Sequence, residues 1–444
     1  MPQLAAGLAW LFLLFHDVIP AINHVTQGFA AYYGAAYAVL HGGAADLNNN
    51  LAFQGWLTQA GIGVREVYQG NSPTLALLMI PLTPFGPALT QTIWLVLNVA
   101  MLITCTVLVI RLCGANNFST STRWWIAAIA PLLVGVRANI QFGQVYILLA
   151  LLALCALVAL RDAPHPLNPP LRFQSGGSER LLPYDLAAGA AIGAMILIKP
   201  FYGVIAILLL IWSGRFRAAL IAVIVIVIVV VASLPLLAGA WPGFLNAQVI
   251  ISQIPWAGIS ANQTLNSMFQ HLFVFTPDWN TAPLLDAPWL AAVLYYGLSG
   301  VLITVTLWRS RKHDPLWIWL PTLALMPILA PVGEVHHEAL LLFPVAMAVT
   351  RLRGVKGDLP LSPTLSPQAG KGSQTRLTSP SLLAGRDLGR GKLNIQIVVM
   401  IVVAMALLII PWPNLNDPAL WGGWHGLLAY PRLYGALLLW AALV

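Results

Sequence analysis

Charge is what this sequence lacks most: Asp, Glu, Lys and Arg make up 8% of 444 residues, against 59% hydrophobic residues. A soluble domain carries about 25% charged residues. So few charges cannot cover so large an apolar core, which excludes a water-soluble globular protein and makes lipid the solvent for most of the chain. Cysteine is scarce too. The three present, Cys105, Cys113 and Cys155, lie in or beside apolar runs with no C-x-x-C spacing, so they read as small hydrophobic side chains rather than metal ligands. No clear internal repeat is present, unlike the paired repeats of many transporters. No cleavable leader is evident either. The run Leu4–Phe15 has no basic stretch before it and no A-x-A site before His16–Asp17, so it reads as a retained first span.

What the sequence does have is apolar runs. A helix needs about 20 apolar residues to cross the hydrocarbon core. The candidate spans are 4–20, 88–112, 124–140, 143–160, 185–198, 200–214, 217–238, 287–308, 315–332, 336–350, 394–411 and 430–444. The expected fold is all-α: a polytopic bundle of about twelve spans, forming a single transmembrane domain over 1–444. Pro200 follows Lys199 between two of these runs. A proline there removes a backbone donor and discourages helix at the residue before it, so a break or tight hairpin is expected.

The run Pro73–Phe85 decides the sidedness. As a helix it would rise only about 20 Å, and prolines stand at 73, 81 and 84, so it reads as re-entrant or interfacial. With that reading and a cytoplasmic N-terminus, 18 of the 22 Lys and Arg residues fall in cytoplasmic loops, and only Arg65, Arg137, Lys199 and Arg432 are external. A full crossing at 73–85 would invert everything after it and break the positive-inside rule. The net charge of +8 is therefore a topology signal and not a nucleic-acid footprint. Two Pro/Ser/Gly-rich stretches, 162–184 and 354–392, lack apolar periodicity and read as disordered cytoplasmic inserts.

The chemistry-capable residues then gather outside. The first external segment, 20–87, carries the stretch Phe29–Leu40, read as an interfacial helix with Tyr33 and Tyr37 on one face. Asp17 and Asp46 stand at membrane boundaries, where a carboxylate is either simply solvated or a general base for a lipid-linked substrate. Arg137, Asn139, Gln141 and Gln144 cluster at a turn between spans, where polar groups need partners or a wet cavity. Lys199 either snorkels to the headgroups or binds phosphate. The external loop 239–286 holds Asn262 and Gln263 among tryptophans, which suits sugar or headgroup contact or an ordinary interface loop. Glu334, His336, His337 and Glu338 put four ionisable groups in five residues. The H-E-x-x-H spacing of a helical metal site is absent, which favours phosphate or hydroxyl recognition and no metal.

These residues occur in a familiar order. Phe29-x-x-Tyr32-Tyr33 precedes Gly42-Gly43, then Asn71-Ser-Pro73-Thr-x-Ala-Leu-Leu-x-x-Pro81-Leu. Gly143-Gln144, Lys199-Pro200, Asn262-Gln263-Thr264 and Pro331…His336-His337 follow. Over roughly 20–350, inserts apart, the sequence resembles the family 87 glycosyltransferases, also called DUF2029 proteins, which include polyprenyl-phosphate-mannose-dependent mannosyltransferases. The resemblance implies a GT-C fold with its site on the external face of a bacterial plasma membrane. It implies a hexosyltransferase that needs no cofactor. The donor would be a polyprenyl-phosphate sugar, with mannose as the expected hexose, and the acceptor a lipid or glycan. His336, His337, Lys199 and Arg137 would contact donor phosphate. Tyr33, Gln144, Asn262, Gln263 and Glu334 would contact sugar or acceptor. A carboxylate would deprotonate the acceptor hydroxyl. The family's acid before the Phe-x-x-Tyr-Tyr element is here Gly28, so Asp17 and Asp46 are the candidates for that role. The competing expectations are a transporter or lipid flippase and a catalytically silent family member.

Overall fold

The computed structural model describes residues 1–22, 24–113, 119–162, 182–250, 258–259, 261–278, 280–310, 318–352, 395–412 and 423–444. The two expected inserts, 162–184 and 354–392, lie outside the described residues except for Asp162 and 182–184. Among the described residues the chain is helical, and the only β pairing is two isolated bridges, Asn262 with Glu334 and Thr276 with Asn280.

Among the described residues, four helical stretches are long and apolar enough to cross a membrane: Pro2–Ile22, Pro73–Leu112, Phe216–Leu237 and Pro288–Arg309. Two bent pairs raise the number to six: Thr120–Leu132 with Val134–Phe142 at 48°, and Gly423–Ala429 with Pro431–Leu443 at 62°. Five more of the expected spans appear only as shorter apolar helices, Tyr146–Arg161, Leu182–Ile198, Pro200–Trp212, Trp319–Leu329 and Ile395–Ile409. The expected span 336–350 is a 3-10 stretch, Val335–Leu341, leading into the helix Leu342–Leu352, so the described residues show four to six spans rather than twelve. The outward surface is apolar: Leu8, Val96, Leu208, Val227, Val293 and Val402 are all more than half exposed. That pattern inverts a soluble protein and fits lipid as the outer solvent.

Because lipid tails are as apolar as leucine, helices associate in a membrane through close packing of small residues. The contact of Leu182–Ile198 with Phe216–Leu237 shows it. A Cβ on Gly189 would stand 2.5 Å from Ala218 O, and one on Gly193 would stand 3.0 Å from Ala222 O. Further along the chain, the first span is tied to the Thr120–Ile129 helix by Trp10 Nε1 donating to Ala127 O at 3.0 Å.

The helix Gln27–Leu40 departs from the expected interfacial form. It is buried on nearly every face, from Gly28 through Ala36 and again at Ala38 and Val39. The amphipathic reading rested on its two tyrosines. Its glycines and alanines instead let neighbours approach all round, and a Cβ on Gly34 would overlap the Leu57 side chain. The Pro73–Phe85 stretch is a series of short turns, Pro73–Leu75, Ala76–Met79 and Ile80–Phe85. Gly86, at φ +72°, separates them from the long helix Gly86–Leu112. Thr74 Oγ1 donates to Leu197 O, and Tyr33 OH donates to Thr83 O at 3.1 Å, so both ends of the stretch are held by the bundle.

Candidate functional site

A cavity of about 330 Å³ opens where widely separated stretches of the chain meet. Gly28 and Tyr32 line it from the buried helix, and Glu66, Gln69 and Asn71 from the loop that follows. Gln144 and Tyr146, Lys199–Tyr202, and Glu334, His336 and His337 complete the wall.

Gln144 reaches the cavity because the helix Val134–Phe142 ends in the left-handed Gly143, at φ +66°. Glycine adopts that conformation without a Cβ penalty. Asn139, fully buried, accepts from Tyr146 N at 2.8 Å and Ile147 N at 3.2 Å, so it supplies acceptors to the free amides starting the next helix. Gln144 Oε1 accepts from Tyr32 OH, which joins the buried helix to this turn.

Lys199 lies between the helices Leu182–Ile198 and Pro200–Trp212, in an extended conformation at φ −140°, ψ 93°. Proline at the first helical position suits that start, because its missing N–H would have no intrahelical partner anyway. The ammonium sits 5.5 Å from the centroid of the Tyr146 ring. Among the described residues no hydrogen bond or ion pair engages it.

His337 stands between two tyrosines. Tyr146 OH is 2.5 Å from its Nε2, and Tyr202 OH is 2.6 Å from its Nδ1. Its ring also stacks on Tyr146, with centroids 4.1 Å apart and planes 23° apart. Glu334 is held through its main chain: Gln263 N donates to Gly333 O at 2.8 Å and His337 N to Glu334 O at 2.9 Å. Its side chain, 50% exposed, places Oε2 3.6 Å from His336 Nδ1.

Glu66, Lys199 and Glu334 share one electrostatic neighbourhood. Burial lowers Lys199 to about 8, opposed by the carboxylates of Glu334 and Glu66. Burial raises Glu66, opposed by the Val67 N–H and by Lys199. Its half-buried place against the protein likewise raises Glu334, and Lys199 again pulls it back. The site thus combines a cation, two carboxylates, two imidazoles and amide side chains, a set able to bind an anion and accept a proton in one place.

Of the residues singled out from sequence, Lys199, Gln144, Glu334, His336 and His337 meet in this cavity. Asp17 and Asp46 do not line it. Asp17, fully buried, accepts from Arg137 Nε at 2.8 Å and from Gln141 Nε2. Asp46 Oδ2 accepts from Trp56 Nε1 at 2.9 Å. Arg137 therefore faces Asp17 rather than the cavity. Tyr33 bonds Thr83, and its neighbour Tyr32 is the one that lines the cavity. Asn262 is buried and bridged to Glu334 through the backbone. Gln263 donates to Ala429 O at 2.9 Å and accepts from Arg432 N at 3.2 Å, which ties this turn to the helix Pro431–Leu443.

Sequence reasoning missed Glu66, Tyr146 and Tyr202. Glu66 lies in a loop with no periodicity, and both tyrosines read as ordinary members of apolar helices. The one signal pointing to them was Lys199: a lone cation beside two spans calls for nearby groups to accommodate it.

No curated protein matches the chain. No solved structure matches it either. A family model does match, over residues 70–331, more than half of the chain, and its description is glycosyltransferase family 87.

Proposed function

This chain belongs to glycosyltransferase family 87, and from its membership as a membrane glycosyltransferase we propose how the cavity works. It transfers a hexose, with mannose the first candidate, from a polyprenyl-phosphate sugar to a lipid or glycan acceptor. Transfer takes place on the external face of a bacterial plasma membrane, within a GT-C-type bundle. The observation that carries this reading is Lys199. It is a half-buried ammonium with no ion-pair partner among the described residues, in a cavity that also holds carboxylates and imidazoles. A compact ammonium suits a phosphate. The N-terminus of the helix Pro200–Trp212 opens on the same cavity through Pro200, Phe201 and Tyr202, adding the partial positive charge that anions favour.

In the reaction, a carboxylate of the cavity takes the proton of the acceptor hydroxyl. The hydroxyl oxygen bonds to the anomeric carbon. The carbon–oxygen bond to phosphate breaks, and its electron pair leaves with polyprenyl phosphate. Lys199 and the His336–His337 pair sit against the charge that develops there. Gln144, Gln69 and Asn71 offer amide groups for sugar hydroxyls.

The test is transfer of radiolabel from polyprenyl-phosphate mannose or glucose to membrane lipids by the purified protein in liposomes. Wild type should label a lipid product and Lys199→Met should not. Absence of labelling by wild type with every such donor, or full labelling by Lys199→Met, overturns the proposal.

A further inference from the structure

Two carboxylates face the cavity, and their surroundings differ. Glu334 is fixed through its backbone, on both sides, by the Asn262 bridge and the His337 amide, while its half-exposed side chain places Oε2 3.6 Å from His336 Nδ1, beyond hydrogen-bond distance. Glu66 is anchored by one oxygen only. Oε1 accepts from Val67 N at 2.8 Å, and among the described residues nothing bonds to Oε2. The loop that carries Glu66 is nevertheless firm. Tyr68, fully buried, donates its hydroxyl to Ser72 O at 2.7 Å, and Asn71 Nδ2 donates to Tyr68 O at 3.1 Å. A rigid loop presenting one unengaged carboxylate oxygen beside a lysine suits a proton acceptor.

The position before Phe29 has no room for such a group. A Cβ on Gly28 would lie 2.7 Å from Phe142 O and closer still to the Gln144 amide. Gln144 is itself held by Tyr32, so its side chain fills the space a residue at 28 would need.

We propose that Glu66 is the catalytic base, taking the acceptor hydroxyl's proton on Oε2, and that Glu334 is a positioning residue that acts through His336. The assignment rests on the reading of the cavity as a polyprenyl-phosphate sugar site. When two carboxylates share a site, environments that set them apart divide the roles. Here the Glu66 carboxylate is aimed by the Val67 N–H, which leaves Oε2 open, while Glu334, half exposed, lies 3.6 Å from His336 with no hydrogen bond to orient its side chain.

The experiment measures transfer kinetics of the full chain in liposomes with a polyprenyl-phosphate hexose donor, for Glu66→Gln, Glu66→Asp, Glu66→Ala and Glu334→Gln. Each variant is first matched to wild type by thermal denaturation in detergent. Glu66→Gln should lose about 100-fold or more in kcat with an unchanged donor KM, and its kcat/KM should lose the acid limb of the pH profile. Glu66→Ala should recover turnover on addition of formate, a rescue that a structural role would not give. Glu66→Asp should keep partial activity and serves if the Gln variant misfolds. Glu334→Gln should raise the donor KM and leave kcat within about threefold, since only positioning is lost. Wild-type turnover by Glu66→Gln, or formate rescue at position 334 instead, overturns the assignment while leaving the donor reading intact. A wild-type protein that uses no polyprenyl-phosphate hexose overturns both.

Discussion

The imidazole of His337 bridges the hydroxyls of Tyr146 and Tyr202, so both of its nitrogens are committed. A neutral ring has one donor and one acceptor, so one tyrosine donates and the other accepts. The ring is thereby fixed in orientation, stacked on the same Tyr146 ring that the Lys199 ammonium approaches to 5.5 Å.

Tyr202→Phe removes one of these bonds and strands a ring nitrogen. At about 1.4 kcal/mol per tenfold and roughly 1–3 kcal/mol for an unsatisfied buried group, donor kcat/KM should fall about 5- to 140-fold if the full cost falls on the donor-bound state. Steady-state kinetics checks it. Tyr202→His, able to bond again, should recover part of the loss.

Lys199 gives a pH signature. Burial lowers it to about 8 from its usual 10.5. Below about 8 it is an ammonium, able to attract the phosphate of the proposed donor, and above that value it is a neutral amine. Donor kcat/KM should therefore decline as pH rises past 8, and Lys199→Arg should move that decline to higher pH. Stability should move the other way. The unfolded chain binds more protons between about 8 and 10.5, so folding gains as pH rises through that window. Loss of activity without loss of melting temperature separates the two effects.

Asp17→Asn should act on stability rather than chemistry. Asp17 is buried and paired with Arg137, whose side chain is 11% exposed. Breaking a buried pair by removing one partner costs about 3–5 kcal/mol. Asp46→Asn leaves an oxygen to accept from Trp56 and should change melting by little. Thermal denaturation with activity per folded molecule checks both, and a collapse of kcat in folded Asp17→Asn would contradict this.

Gly28→Ala should lower stability by about 1–3 kcal/mol, the usual cost of overpacking. Gln144→Ala in the same chain should give part of it back, because the two side chains compete for one space. Phe142 O remains in the way, so recovery stays incomplete. A double-mutant cycle measures the coupling.

Topology is open to labelling. In a background lacking Cys105, Cys113 and Cys155, single cysteines at Asp278→Cys and Arg309→Cys should react from opposite sides of the membrane. Labelling from one side would overturn the sidedness read from the basic loops.

Much of this was legible in sequence because it follows from solvent choice and charge. Scarce charge gave lipid-facing helices, and the ordered motifs gave the family. Lys199 and His336–His337 stood out because ionisable groups beside apolar runs are costly without a purpose. The aspartates were harder to place. Asp17 at a span's end looks the same whether it faces a cavity or an arginine 120 positions away, and only packing decides between them. The helix Gln27–Leu40 misled for a related reason: alanine and glycine carry little pattern, so burial on all faces leaves almost no periodic trace.

The Gln263 amide, which binds Ala429 and the start of the helix Pro431–Leu443, has a consequence for biosynthesis. The turn it occupies backs Glu334, so one wall of the cavity leans on residues translated about a hundred positions later. A nascent chain holding every catalytic group would still have a loose wall. That wall would close only when the helix docks, so completion of the cavity is tied to the last segment of the chain to be made.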